Sequence, residues 1–182
     1  MTYKDGLHFF PEKINDATIL ILGTFPSSEA LKHGEYYKNN ENLFWTTMSH
    51  VLECPNLCNE SYTYKEQQLK QHGIILWDII KSCEREGALD KYIIEESAIK
   101  NNLNDVLLGN NIKIVIINGI VIRSKKTKKL GAQGWFIKFN GEIRDFEKKN
   151  NVKVVAVHST SPSAKKWYNL SEWIENIKPY IK

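Results

Sequence analysis

Thr18-Ile19-Leu20-Ile21-Leu22-Gly23-Thr24-Phe25-Pro26-Ser27-Ser28 is a short apolar run that ends on a glycine and passes at once into turn-forming residues. Such a run, without polar alternation, reads as a strand buried on both faces with a loop at its C-terminal end. Working outward, the arrangement recurs at residues 74–80 (IILWDII), 113–117 (KIVII) and 152–157 (VKVVAV), although the first of these could also begin a helix. Each run gives way to polar residues: Asp78, Asn118-Gly119 and His158-Ser159. Helical spacing lies between them. Residues 43–52 carry Phe44, Met48 and Val51 on one face, and Ile93, Ile94, Ala98, Leu103, Val106 and Leu107 precede Gly109 as a C-cap. Trp167, Leu170, Trp173, Ile174 and Ile177 form a terminal amphipathic helix with Pro179 beyond it. Residues 131–151, with Gly131, Gly134 and Gly141, read as loops or a hairpin inserted before the last strand. Strands alternating with helices predict a three-layer α/β/α sandwich around a central, mainly parallel sheet, with ligands at the C-terminal strand ends.

The bulk numbers agree with this fold. At 182 residues, 42% hydrophobic and 25% charged, the sequence is that of one globular domain, residues 1–182, with no internal repeat or linker. No apolar run approaches the roughly 18 residues of a membrane helix, and the N-terminus has no signal-peptide core, so a cytoplasmic protein with no membrane partner is expected. Three cysteines, Cys54, Cys58 and Cys83, form no disulfide framework, and no histidine stands at zinc-finger spacing from them. No metal or cofactor is called for. A net charge of +4 permits nucleic-acid binding without requiring it, and the densest cluster, Arg123-Ser-Lys-Lys-Thr-Lys-Lys129, suits either phosphate contacts or a solvated face.

Two constellations carry candidate chemistry. Thr24, Phe25, Ser27 and Ser28 follow Gly23, with Tyr36-Tyr37 and Asn42-Leu43-Phe44-Trp45 close behind. Hydroxyls and amides can bind phosphate, and two tyrosines among amides form a pocket for a planar base or a structural aromatic cluster. His158-Ser159-Thr160-Ser161-Pro162-Ser163, with Lys165 and Lys166 beyond, suits an anion at a helix N-terminus, or an N-cap with redundant hydroxyls.

The order G-T-F-P-S-S, Y-Y before N-x-F-W, H-G-I-x-L-W-D, a strand ending N-G, and S-T-S-P before a terminal helix resembles the hypoxanthine-DNA glycosylases of the uracil-DNA glycosylase superfamily, from about Phe10 to Ile177. The resemblance implies a monomeric glycosylase acting on DNA that contains deaminated bases. In mismatch-specific uracil glycosylases the first motif reads G-I-N-P and its Asn positions the attacking water. Phe25 stands there and cannot, so the resemblance moves that role to Asn42, with Asn39 as a weaker substitute. It places Tyr37 against the flipped base, Asp78 where the uracil enzymes read the base with Asn, Phe25 and Asn118 in the base pocket, and His158 at the departing base. Thr24, Ser27, Ser28, Ser159, Thr160, Ser161, Ser163, Lys165 and Lys166 fall on the DNA side. An ionised Asp78 is expected to accept N1–H from hypoxanthine and repel the N1 lone pair of adenine. Two features depart from the relatives: Ser163 replaces the leucine that fills the gap left by the extruded base, and residues 123–129 are unusually basic. Uracil excision and a non-catalytic nucleic-acid-binding module are the alternatives.

Overall fold

Ile19, Leu20, Ile21 and Leu22 are fully buried because β2 (Ile19–Gly23) runs down the middle of a parallel sheet, with β3 (Ile74–Asp78) on one side and β6 (Ile114–Asn118) on the other. β7 (Lys153–Val157) adds to β6, giving the order β3-β2-β6-β7. The computed structural model describes residues 3–12, 14–87 and 89–182. Three of the four strands are buried at nearly every residue, as parallel strands covered on both faces must be. The outer edge of β3 is closed by the N-terminal segment, where Phe10 and Leu76 exchange backbone hydrogen bonds of 2.8 and 2.7 Å.

A second, antiparallel sheet joins β1 (Tyr3–Asp5), β4 (Ile80–Glu84) and β5 (Ile99–Lys100), with β4 central. The chain passes between the sheets at Ile79, whose amide donates to Gly23 O at 2.9 Å while the Ile80 amide donates to Thr24 O at 3.0 Å. Helices supply the outer layers. α1 (Ser28–His33) follows β2, α2 (Phe44–Val51) packs on the terminal α7 (Leu170–Ile177), and α3 (Tyr62–Gln71) backs β3. α4 (Asn104–Leu107) is a single turn before β6, α5 (Ala132–Asn140) backs β6, and α6 (Ile143–Asn150) lies against β7 and α5.

The four strands and α2 lie where periodicity placed them, within a residue or two at each end. Three expectations are corrected. The stretch from Ile93 to Leu107 is not one helix: Ile94 N donates to Glu84 O and Asn101 N to Ile79 O, each at 3.0 Å, so the segment follows β4 as a partner and only α4 is helical. Residues 131–151 are a helical hairpin, α5 and α6, turning at Gly141 with φ 82°. Phe136 and Phe146 meet edge-on at 5.0 Å to hold it. Trp167 ends a 3-10 helix (Pro162–Trp167) and is 62% exposed; extended backbone at Tyr168 separates it from α7.

Candidate functional site

In-register pairing sets the strand ends level, with Gly23 opposite Asp78 and Asn118 opposite Val157. The polar residues that follow the strands therefore collect along one edge of the sheet. Gly23 makes their approach possible: a Cβ there would overlap the Asp78 carboxyl and stand 3.6 Å from the Tyr37 hydroxyl.

Asp78 is 4% exposed, its carbonyl accepts from Asn101 Nδ2 at 2.8 Å, and its carboxyl Oδ2 makes no hydrogen bond among the described residues. Burial, followed by the negative charge of Asp90, pushes its pKa from 3.8 up to about 8, against the lowering influence of Tyr36 and Arg85. The expected charge is thereby corrected. At neutral pH Asp78 is a carboxylic acid, with both a donor and an acceptor to offer.

Asn118 ties three segments together. Its Oδ1 accepts the Thr160 amide at 3.0 Å, and its Nδ2 donates to Thr160 Oγ1 at 3.0 Å and to the Tyr37 hydroxyl at 3.3 Å. Tyr37 has a left-handed backbone, φ 55°, and its ring stacks on Phe44 at 3.8 Å and 14°, so a base could stack only on its other face. Burial and the nearby Asp78 raise the Tyr37 pKa well above 10.0, which keeps its hydroxyl protonated.

Asn42 is half-buried at the start of α2. Its Oδ1 accepts the Phe44 amide at 3.0 Å, while Nδ2 makes no hydrogen bond among the described residues. The neighbouring Leu43 amide donates to Thr160 O at 3.0 Å, which fastens this segment to the loop after β7. Asn39 is exposed, and its Oδ1 accepts the Glu41 amide at 2.9 Å. His158 is held by α7: Glu172 Oε2 accepts from its backbone N–H at 2.8 Å and lies 2.8 Å from ring Nδ1. With Nδ1–H assigned to Glu172, Nε2 is an acceptor in the neutral ring and a donor only in the imidazolium.

The remaining predicted residues divide. Ser159 Oγ accepts the Ser161 amide at 3.1 Å, Ser161 and Ser163 share a hydroxyl contact of 2.9 Å, and Lys165 and Lys166 are exposed on the 3-10 helix. Ser27 Oγ caps α1 by accepting the Ala30 amide at 3.1 Å, and Ser28 is the first residue of that helix. Thr24 is hydrogen-bonded to Asp90. The Phe25 ring lies under the Arg85 guanidinium at 4.8 Å, on the side of the second sheet. Arg85 is 1% exposed and donates to Pro26 O at 2.8 Å, so it braces the turn at Phe25 and Pro26. Arg85, Asp90, Asn101 and Glu172 were not legible as site residues, because each reaches the sheet edge from a distant segment with no motif of its own.

A parallel α/β sheet with a buried acid, an aromatic ring and amides gathered at its carboxyl edge belongs to the class of proteins that bind ligands at that edge. A model of the uracil DNA glycosylase superfamily matches residues 11–180, and the chain belongs to that superfamily. A protein of Methanosarcina acetivorans named hypoxanthine DNA glycosylase is 40% identical over 88 residues, 48% of this chain and 55% of the relative. One of the same name from Methanosarcina barkeri is 33% identical over 112 residues, 60% of this chain and 69% of the relative. The first match thus spans little more than half of the relative. The solution NMR structure of a Methanosarcina acetivorans protein, provisionally described as a uracil DNA glycosylase, shares the fold with a TM-score of 0.71 over 98% of this chain and 99% of that one, at 24% identity.

Proposed function

We propose that the protein is a monofunctional DNA glycosylase that hydrolyses the N-glycosidic bond of an extruded deaminated base, hypoxanthine first, and leaves an abasic site. The observation that carries this reading is the Asp78 carboxyl, buried at the sheet edge with Oδ2 making no hydrogen bond among the described residues. A neutral acid pairs with the N1–H and O6 of hypoxanthine through two hydrogen bonds, its carbonyl accepting and its hydroxyl donating. Uracil presents the same N–H beside a carbonyl, so it is the second substrate. Adenine can also form two bonds to a neutral acid. Rejection of adenine therefore rests on the cost of extrusion, which is least at a mispaired base, and on the fixed groups around Gly23 and Asn118.

Asn42 orients water toward C1′ as positive charge grows on the sugar, and His158 or the amides of the loop after β7 stabilise the negative charge on the leaving base. Strand cleavage is not expected, since no lysine stands in these motifs. Duplexes carrying a single inosine, uracil or xanthine, incubated with the protein and then treated with alkali, test the reading. Cleavage at inosine above uracil supports it. Cleavage only at uracil moves the substrate, and no cleavage at any base makes the chain a binding module.

Binding is expected to weaken steeply with salt. Lys125→Ala with Lys126→Ala should flatten the dependence of log K on log salt by about 0.9 for each lysine that meets a phosphate. An unchanged slope assigns both lysines to plain surface.

A further inference from the structure

Ile120, Val121 and Ile122 are 38, 46 and 52% exposed, three consecutive apolar side chains on the loop that leaves β6. A soluble surface avoids such a run unless it has a use. The loop is also held firmly. Gly119 O, Val121 O and Ile122 O accept the amides of Gln133 (3.2 Å), Gly134 (3.3 Å) and Gly131 (3.0 Å), closing donors that the first turn of α5 leaves open. A Cβ on Gly131 would overlap Val121, and one on Gly134 would overlap the Ile122 carbonyl. Two glycines thus seat this backbone on the helix, with Val121 resting against Gly131 and all three apolar side chains still partly exposed.

The loop starts at the candidate pocket. Gly119 follows Asn118 directly, and a Cβ on it would stand 3.9 Å from that of Ser159. Its far end runs into a compact turn closed by hydrogen bonds from Ser124 N to Lys129 O at 2.8 Å and from Lys128 N to Ser124 O at 2.9 Å. Arg123 is engaged with Glu95 at 3.3 Å, but Lys125, Lys126 and Lys128 are exposed and have no ion-pair partner among the described residues. An apolar tip beside unpaired cations complements a polyanion with an apolar interior. A second copy of this chain, itself at +4, offers no such complement.

Resting on the glycosylase reading, we infer that this loop enters duplex DNA: Ile120, Val121 and Ile122 fill the space vacated by the extruded nucleotide, and Lys125, Lys126 and Lys128 hold the flanking phosphates. Isoleucine is among the side chains that proteins insert between base steps, and its β-branch leaves little rotamer freedom to lose. Ser163 cannot serve, being small and joined to Ser161 at 2.9 Å.

The test compares the full chain with a triple variant, Ile120→Ser, Val121→Ser and Ile122→Ser, on inosine in a duplex and on the same strand unpaired. Duplex excision should fall by about tenfold or more, while single-strand excision and melting temperature hold, since only the duplex has a gap to fill. Equal losses on both forms, or none on the duplex, overturn the inference. A second readout needs no catalysis: 2-aminopurine opposite a tetrahydrofuran abasic analogue should brighten when saturated with wild type and not with the variant. Equal brightening overturns the inference even if the wild type excises no base, a result that would by itself remove the glycosylase reading and leave the loop to be judged by fluorescence alone.

Discussion

Asn42→Ala is expected to abolish excision, a loss of at least about a hundredfold in kcat, the size seen when a positioned polar group is removed from a transition state. The same side chain also holds the start of α2 through the Phe44 amide, so its removal should lower stability by about 0.5–2 kcal/mol. The two effects separate in Asn42→Ser, which keeps an oxygen to cap the helix but no amide to reach the sugar. If water positioning is the role, the serine variant melts near wild type and remains inactive. If capping is the whole role, serine restores activity with stability. Asn39→Ala is the neighbouring control, since its side chain caps only the exposed Glu41 amide. Single-turnover rates within a factor of two of wild type for Asn42→Ala would remove it from the mechanism.

Much of the sheet was legible because its strands are fully buried. Residues 19–22, 74–77 and 114–117 have no polar face, and each stops at a residue that breaks the apolar run, so strand and strand end were marked together. The helical hairpin was hidden for the opposite reason. Gly131 and Gly134 look like loop residues, yet they are there so that the loop at residues 119–122 can lie against α5. The Ile93 to Leu107 stretch misled because apolar residues at helical intervals were instead Ile93 bridging Arg85, Leu103 and Val106 buried around one helical turn, and Ile94 paired by its backbone to Glu84. At the site, the sequence singles out residues within motifs, and the residues that act on them from distant segments carry no motif of their own. Nothing near His158 in sequence announces Glu172, fourteen positions on, and nothing near Asp78 announces that Asp90 would face it across the turn held by Arg85. Burial first and then the charge of Asp90 raise the Asp78 pKa, and neither is written in the residues around it, which is why the sequence alone suggests an ionised carboxylate.

That charge yields the most demanding expectation. Asp78 titrates at about 8 in the folded protein and at 3.8 in its ordinary state, so the folded form retains a proton that the unfolded chain has lost over that interval. The stability contributed by the neutral acid is complete below pH 4 and is lost as pH rises through about 8. Asp78→Asn keeps the shape without the ionisation and should therefore be more stable than wild type, by a margin that grows from pH 4 to pH 8 and reaches on the order of a few kcal/mol. Asparagine also reproduces the acid's donor and acceptor, so its kcat/KM for hypoxanthine should match wild type near neutrality. Above pH 8 the wild type loses the hydrogen that meets O6 and should fall behind, while the variant does not; ionisation of the base itself cancels in the ratio of the two. Asp78→Ala supplies neither group and should lose roughly ten- to a hundredfold relative to wild type below pH 8, as expected for about 1–3 kcal/mol of buried hydrogen bonding, with the gap narrowing above it. Thermal melts across this pH range and the pH profile of kcat/KM decide it. An Asp78→Asn protein no more stable at pH 8 than wild type would mean that the carboxyl is ionised, and discrimination against adenine would then return to its negative charge.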